Sequence, residues 1–276
     1  MTTNQSSEIK LTSIDFNTSE DKSSHLNQSI ARIENDYIDS LRELSEIYES
    51  QENWKGLIRC YKQLIAVAPD NTSSIDVYLK LAKLYKRRGE IYREIATYQD
   101  LIEIEPDSPA SVYRELGNLL SQKRNNTLEA LHVYKKAETL KEEWQPGFYI
   151  RIADLLIKQA EYEQAIDYLN KAIAINPDMP YCYMLMGNAY AQMKSFNEAI
   201  QNYTRAIQIK PDHFNAYKRI GDILCQKNEL TTAARCYLKA LQINPQATHI
   251  NRLLGDIFLK QGKSAEAQHY YQQVNA

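Results

Sequence analysis

The chain has 276 residues, of which 43% are hydrophobic and 25% charged, and its 33 basic and 35 acidic residues give a net charge of -2. This length and composition allow a substantial core, and the near-neutral charge gives no general argument for nucleic-acid binding. The 8 glycines and 20 tyrosines favour packed helices over a loop-rich or sheet architecture.

Residues 1–28 form a segment rich in Ser, Thr, Asn and Asp with few large apolar side chains. Such a composition cannot offset the entropy of ordering, so we predict a disordered polar tail here. The segment lacks the basic and apolar regions of a secretory signal, and no other stretch approaches the ~18 apolar residues of a membrane span. The sequence therefore predicts a cytoplasmic protein with no membrane partner, and its four cysteines, which lack CxxC spacing, are predicted to be reduced thiols.

From about residue 29 the pattern changes to apolar residues spaced three, four and seven apart. The first such stripe consists of Ile30, Ile33, Tyr37, Leu41, Leu44, Ile47 and Tyr48. This spacing predicts an amphipathic helix. Helical patterns separated by short breaks continue to the end, so the predicted fold class is all-α.

Three residue types recur with one period of 34 residues. They are the prolines Pro177, Pro211 and Pro245, the glycines Gly187, Gly221 and Gly255, and the alanines Ala199, Ala233 and Ala267. A fixed period of this length indicates stacked supersecondary units. We place seven repeats at 38–71, 75–108, 110–145, 146–179, 180–213, 214–247 and 248–276.

Each repeat is predicted to be two antiparallel helices, with the proline in the break that follows the second helix, because proline is tolerated at a helix boundary and not in its interior. The eighth place of every repeat is small, and the twenty-fourth is tyrosine in six of the seven. The small residues are Ser45, Ala82, Gly117, Ala153, Gly187, Gly221 and Gly255. We predict close helix approach at the eighth place, with the tyrosines filling the seams between neighbouring repeats.

The period, the small eighth place, the alanine at the twentieth place and the closing prolines resemble tetratricopeptide repeats. The resemblance implies a right-handed α-solenoid over residues 29–276 whose first helices line a concave groove for another protein. Repeats 1 to 3 depart from the pattern, since Pro69 and Pro106 are 37 apart and Glu142 replaces a closing proline. We therefore expect bends near residues 71–76 and 140–147.

The groove side chains are expected at places two, five, six, nine, twelve and thirteen of each first helix, which a period of 3.6 residues puts on one face. The predicted peptide-binding residues are Lys80, Lys83, Lys86, Arg87, Arg114, Asn118, Arg151, Asp154, Tyr181, Met184, Asn188, Lys218, Arg219, Asp222 and Arg252.

Two parts of this groove have a distinct character. Lys80, Lys83, Lys86 and Arg87, together with the arginines of the next two repeats, could hold an acidic peptide, or could form a solvated face balanced by the glutamates of repeat 1. The patch around Tyr181, Met184 and Asn188 could receive an apolar side chain, or could pack against the neighbouring repeat.

No phosphate-binding loop, HExxH motif or metal-ligand spacing of the five histidines is present in the sequence. We therefore predict no catalytic residues, no metal site and no cofactor. By resemblance, Arg114 and Asn118 match the first pair of the carboxylate clamp of co-chaperone adaptors, but Arg151 and Tyr181 do not continue it. The asparagine ladder of sugar-transferase arrays is absent.

The sequence favours a non-enzymatic interaction scaffold that binds a peptide or segment of a partner protein. Two alternatives remain open. One is that the repeats are the substrate-selecting arm of a larger glycosyltransferase or methyltransferase whose catalytic part would follow Ala276. The other is a homo-oligomer that pairs through the C-terminal edge, because solenoids usually cover their last stacked face and none is predicted after "YYQQVNA".

Overall fold

The computed structural model describes residues 19–67, 72–122, 126–140 and 144–274. Within these ranges the chain forms helices and no strand, so the all-α prediction is confirmed. The helices are α1 Ser19–Ser50, α2 Trp54–Val67, α3 Thr72–Arg87, α4 Ile91–Ile104, α5 Ala110–Ser121, α6 Thr127–Thr139, α7 Pro146–Lys158, α8 Tyr162–Ile175, α9 Pro180–Gln192, α10 Phe196–Ile209, α11 Phe214–Gln226, α12 Leu230–Ile243, α13 Thr248–Lys260 and α14 Ser264–Gln272. No helix in the described ranges has the length and apolar composition that crossing a bilayer requires.

Consecutive helices pair as hairpins, α1 with α2, α3 with α4 and so on to α13 with α14. The prolines of the 34-residue period lie in the connections between hairpins. Pro177 lies between α8 and α9, Pro211 between α10 and α11, and Pro245 between α12 and α13. A proline in such a connection removes no helical hydrogen bond, so the 34-residue spacing of these prolines marks where successive hairpins end.

The chain divides into two compact bodies between Ser108 and Pro109. The N-terminal body contains α1 to α4, and its core includes Leu57, Leu64, Leu81 and Tyr85. The C-terminal body contains α5 to α14. The division falls in the connection from α4 to α5, which carries both Pro106 and Pro109. The bends predicted near residues 71–76 and 140–147 stay predictions, and residues 71 and 141–143 of these stretches lie outside the described residues.

In the C-terminal body successive hairpins stack side by side. Helix α8 packs on α9, α10 on α11 and α12 on α13, and the first helices α7 and α9 also touch. The core between hairpins contains Ile220, Leu254 and Ile250 together with the small residues Ala199 and Ala233. The first helices of consecutive repeats therefore lie next to one another along one side of this body.

A tyrosine ring covers the small residue at the eighth place of the repeats that carry glycine there. A Cβ atom built on Gly187 would lie 2.5 Å from Cε1 of Tyr203, and one on Gly221 would lie 2.6 Å from Cε1 of Tyr237. Each tyrosine thus packs against the other helix of its own hairpin. The predicted close approach is present, and the tyrosine side chain makes it within the repeat. The ring can also reach the next repeat, as predicted, since Tyr134 meets Phe148 of repeat 4 edge to face with centroids 5.7 Å apart.

Wherever the turn inside a hairpin is fully described, it contains one residue with positive φ. Glycine occupies this position at Gly89 and Gly262, with φ of 68° and 75°. Other residues occupy it elsewhere, namely Glu52, Ala160, Lys194 and Asn228, with φ between 52° and 61°. This left-handed residue lets the chain leave the first helix, and it costs conformational energy wherever a Cβ is present.

Helix α1 begins at Ser19, inside the segment predicted to be a tail, while residues 1–18 lie outside the described residues. Only its C-terminal half packs on α2, through Leu41 and Ser45. Residues 23–37 are exposed throughout. Residues 19–25 contain no large apolar side chain, so apolar spacing could not indicate that the helix begins as early as Ser19.

Candidate functional site in the C-terminal body

The side formed by the first helices contains a cavity of about 400 Å³ between α9, α11 and the start of α13. A volume of ~300–1,000 Å³ is typical of a ligand pocket. Most of the residues that line it stand at the predicted groove places. The lining residues are Tyr181, Met184, Leu185, Asn188, His213, Phe214, Asn215, Lys218, Arg219 and His249.

The apolar part of this cavity is supplied by α9 and the start of α11. Met184 and Leu185 are each 7% exposed, whereas Tyr181 is 53% exposed and projects further into solvent. The ring of Phe214 meets that of His249 edge to face, with centroids 6.1 Å apart. An apolar floor with exposed aromatic rings beside it can bury an apolar side chain of a ligand.

The basic part of the cavity is formed by Lys218 and Arg219. Lys218 Nζ lies 2.8 Å from Oδ2 of Asp222, and Arg219 lies 4.0 Å from the same oxygen. The Arg219 side chain remains 55% exposed. Because one carboxylate faces two cations, this end of the cavity keeps a net positive charge and can attract an acidic group.

Burial, followed by the nearby Lys210, lowers the pKa of His213 below its usual value. The imidazole is therefore neutral at neutral pH and offers one donor and one acceptor nitrogen to a ligand. It does not add to the positive charge of Lys218 and Arg219 under these conditions.

In several repeats the side chain at the ninth place is held by a hydrogen bond from the tyrosine of the paired helix. The Tyr203 hydroxyl donates to Oδ1 of Asn188 at 2.8 Å, and the Tyr237 hydroxyl donates to Oδ1 of Asp222 at 2.8 Å. The same bond joins Tyr134 to Asn118 at 2.7 Å and Tyr271 to Asp256 at 2.7 Å. With its carbonyl oxygen accepting from Tyr203, Asn188 faces a ligand mainly through its amide N–H groups.

A second cavity of about 400 Å³ adjoins the first at Tyr181, which lines both. Its charged groups come from α7, where Lys158 Nζ lies 2.6 Å from Oδ2 of Asp154 and Arg151 stands one turn earlier. Burial and then the charge of Asp154 raise the pKa of Tyr181. Together the two cavities lie along the first helices of repeats 4 to 7.

The predicted groove residues therefore fall into several groups. The first cavity gathers Tyr181, Met184, Asn188, Lys218 and Arg219, and the second gathers Arg151 and Asp154 with Tyr181. The linings of these two cavities do not include Arg114, Asn118, Asp222 or Arg252.

Those four side chains have partners or neighbours of their own. Arg114 lies 3.7 Å from Glu115, Asn118 accepts from Tyr134, and Asp222 is shared by Lys218 and Tyr237. Arg252 stands near the Tyr271 hydroxyl, whose pKa is raised chiefly by its hydrogen bond to Asp256.

The basic set of α3 belongs to the N-terminal body. Lys80, Lys83 and Arg87 line a cavity of about 130 Å³ there, whose lining does not include Lys86. Lys80 Nζ lies 2.8 Å from Asp76, a hydrogen bond that raises its pKa, and Glu49 lines the same cavity. These carboxylates offset part of the positive charge. Arg114 and Arg151, which the sequence grouped with this set, lie in the C-terminal body.

Sequence reasoning left His213 and Phe214 out of the predicted groove. Both stand at the junction of repeats 5 and 6, His213 in the connection before α11 and Phe214 at its first residue. The 3.6-residue period describes only positions inside a helix, so it gives no signal for a connection that turns its side chain toward the groove. In the ranges that the structure covers, no group of three or more His, Cys, Asp or Glu is arranged to hold a metal ion.

Several solved structures have a fold similar to that of this chain. YrrB, described as a TPR protein with an unusual peptide-binding site, superposes with a TM-score of 0.58 at 20% identity, covering 69% of this chain and 95% of YrrB. MamA gives a TM-score of 0.57 at 24% identity over 62% of this chain and 92% of MamA. PilF of Pseudomonas aeruginosa gives 0.54 at 20% identity over 72% and 90%. At these identities the likeness concerns the fold.

Family models extend the comparison to the sequence. Models described as tetratricopeptide repeats match residues 40–74, 76–108 and 180–213, and a model described as a TPR repeat matches residues 153–194 and 221–262. The search of curated proteins found no matching sequence. With these matches in both bodies, and with helices paired as hairpins in each body, the chain belongs to the tetratricopeptide-repeat family.

Proposed function

We propose that the protein is an interaction scaffold that binds an extended segment of a partner protein along the first helices of its C-terminal body. The proposal rests on one observation above all. A single cavity of about 400 Å³ brings the apolar side chains of Met184 and Leu185 together with the cations of Lys218 and Arg219. A segment with an apolar residue next to an acidic one would satisfy both parts.

The chemistry of the cavity supports this choice of ligand. A ligand's apolar side chain that packs on Met184 and Leu185 beside the exposed Tyr181 ring removes its own surface and part of that ring from water, which supplies affinity. A carboxylate beside the exposed Arg219 gains a charge-assisted hydrogen bond, and Asn188 offers N–H donors to the backbone of the bound segment. The proposal assigns the chain a binding role rather than a catalytic one.

The second cavity supports a ligand longer than one residue pair. Tyr181 lines both cavities, so an extended chain that passes this ring would reach Arg151 and Lys158 of repeat 4. An extended chain rises ~3.3 Å per residue, so a segment of several residues can contact both. The structural likeness to YrrB, which is described as having a peptide-binding site, is consistent with such a ligand.

A random peptide library displayed on phage tests the proposal with the full chain as bait. We expect enrichment of peptides that carry an acidic residue close to a large apolar one. The variant Arg219→Glu should bind an enriched peptide at least ~10-fold more weakly, a change of ~1.4 kcal/mol. Arg235→Glu is the matched control, because Arg235 is exposed on the second helix α12 and the charge change is the same.

Two results would contradict the proposal. One is that the library yields no enriched peptide. The other is that Arg219→Glu and Arg235→Glu bind an enriched peptide equally well, since the binding surface would then lie elsewhere on the chain.

A further inference from the structure

Helix α1 carries a row of exposed apolar side chains that no element of the described chain covers. At 32 residues it is longer than the other described helices, and only its C-terminal half packs on α2. The members of the row, with the exposed fraction of each, are Leu26 at 64%, Ile30 at 46%, Ile33 at 68%, Tyr37 at 43%, Leu44 at 37% and Ile47 at 49%. We call this row the α1 stripe.

The spacing of the α1 stripe is that of a coiled-coil seam. Its members follow one another at intervals of four, three, four, seven and three residues, which is the alternation of the a and d positions in a heptad. Ser40 fills the position between Tyr37 and Leu44. Its hydroxyl donates to the carbonyl oxygen of Asp36 at 2.8 Å, so burial of Ser40 would not cost it a hydrogen bond.

Six large apolar groups in one row are unusual on a protein surface. Single exposed apolar residues are common, whereas a contiguous set marks an interaction surface. The strict alternation of three and four residues fits knobs-into-holes packing, in which each side chain enters a gap between four residues of a facing helix. The shape of the α1 stripe therefore selects an α-helix as its occupant.

The charged residues beside the α1 stripe indicate which kind of helix would bind there. Helical geometry places Glu34 on one side of the stripe and Asp36 and Glu43 on the other, and all three are exposed. Over residues 23–50 the helix contains six acidic residues against two basic ones, Arg32 and Arg42. A second copy of α1 would bring like charges together along the seam, which opposes a homodimer.

We propose that the α1 stripe docks an amphipathic helix of another protein, one with apolar residues at its a and d positions and lysine or arginine at its flanking e and g positions. This surface lies in the N-terminal body and is separate from the cavities of the C-terminal body. The protein would then hold two partners by two kinds of contact, an extended segment on one body and a helix on the other.

A synthetic peptide provides the test. The probe is a fluorescein-labelled helical peptide with leucine and isoleucine at a and d and lysine at e and g. A second peptide has glutamate in place of every lysine. Fluorescence anisotropy with the full chain should show saturable binding of the lysine peptide and at least ~10-fold weaker binding of the glutamate peptide.

Matched variants of the chain separate the apolar seam from simple charge attraction. Ile30→Glu with Ile33→Glu should lower the affinity for the lysine peptide at least ~10-fold. Gln28→Glu with Asn35→Glu adds the same two charges at exposed positions on the opposite side of α1 and should bind the peptide at least as well as the parent chain. Because Ile30 and Ile33 are already exposed, circular dichroism should show the same helix content in the first variant.

Three results would overturn the proposal. The first is no binding of the lysine peptide. The second is equal binding by the two double variants, which would mean that the seam is not the contact. The third is a doubled mass of the chain in light scattering that is lost in Ile30→Glu with Ile33→Glu, because the occupant would then be a second copy.

Discussion

The ring of Tyr203 lies so close to the backbone of Gly187 that a methyl group does not fit between them. A Cβ on Gly187 would stand 2.5 Å from Cε1 and 2.6 Å from Cδ1 of that ring. The hydroxyl of the same tyrosine donates to Asn188, the next residue of α9. One side chain therefore sets the distance between the two helices of repeat 5 and also orients a residue of the candidate binding cavity.

Gly187→Ala is expected to destabilise the protein, although alanine is the better helix former. Relieving the overlap requires the Tyr203 ring or the helix to shift, at a cost of ~1–3 kcal/mol. Gly147→Ala is the control, because a Cβ on Gly147 meets nothing within 4 Å and should be neutral or slightly stabilising. Urea denaturation measures both. Equal stability of the two variants would contradict the packing described for Tyr203.

The turn residues predict a pair of opposite effects. Ala160 adopts φ of 61° where Gly262 adopts 75° at the equivalent turn. Left-handed backbone costs a residue with a Cβ ~1–2 kcal/mol, partly offset by the greater freedom of glycine in the unfolded chain. We therefore expect Ala160→Gly to raise the free energy of unfolding by ~0.5 kcal/mol and Gly262→Ala to lower it by ~1 kcal/mol. Thermal unfolding would show whether the signs agree.

Stability should fall at alkaline pH because of the buried tyrosines. Burial raises the pKa of Tyr203 from 10.0 to about 12. The unfolded chain then loses its proton first, so the contribution of Tyr203 is complete below pH 10 and decreases as the pH rises toward 12.

The Tyr203→Phe variant separates this effect from general alkaline unfolding. It lacks the ionisable group, so its stability should decline less between pH 10 and 12 than that of the parent chain, from a neutral-pH value lowered by ~1 kcal/mol through the lost hydrogen bond. Tyr92→Phe, at a ring that is 80% exposed, is the control. Urea titrations at several pH values give the slopes, and identical slopes for Tyr203→Phe and the parent would refute the assignment.

Much of the fold could be predicted because packing repeats along the sequence. Gly187, Gly221 and Gly255 mark positions where a tyrosine ring of the paired helix leaves no room for a side chain, and this constraint recurs every 34 residues. The closing prolines mark the ends of hairpins, because proline is tolerated in a connection and not inside a helix. A residue type that only one local geometry tolerates is visible in the sequence.

The candidate binding site could be predicted only in part. Helical period identified Tyr181, Met184 and Lys218, but it did not show that Asp222 is shared between Lys218 and Tyr237. Such a partnership depends on the rotamers of long side chains, which sequence spacing does not fix.

The bounds of α1 were missed for a related reason. The first turns of the helix, residues 19–25, contain no large apolar side chain, so the apolar pattern could not show that the helix extends back to Ser19. Of the seven apolar residues from which the sequence predicted this amphipathic helix, five are exposed, namely Ile30, Ile33, Tyr37, Leu44 and Ile47.

A crystal structure of the chain with the peptide most enriched from the displayed library is the most direct measurement. We predict that its apolar side chain will contact Met184 and Leu185, with an acidic group within ~4 Å of the Arg219 guanidinium. A peptide bound across the second helices α10 and α12, with the cavity between α9 and α11 unoccupied, would contradict the proposed function.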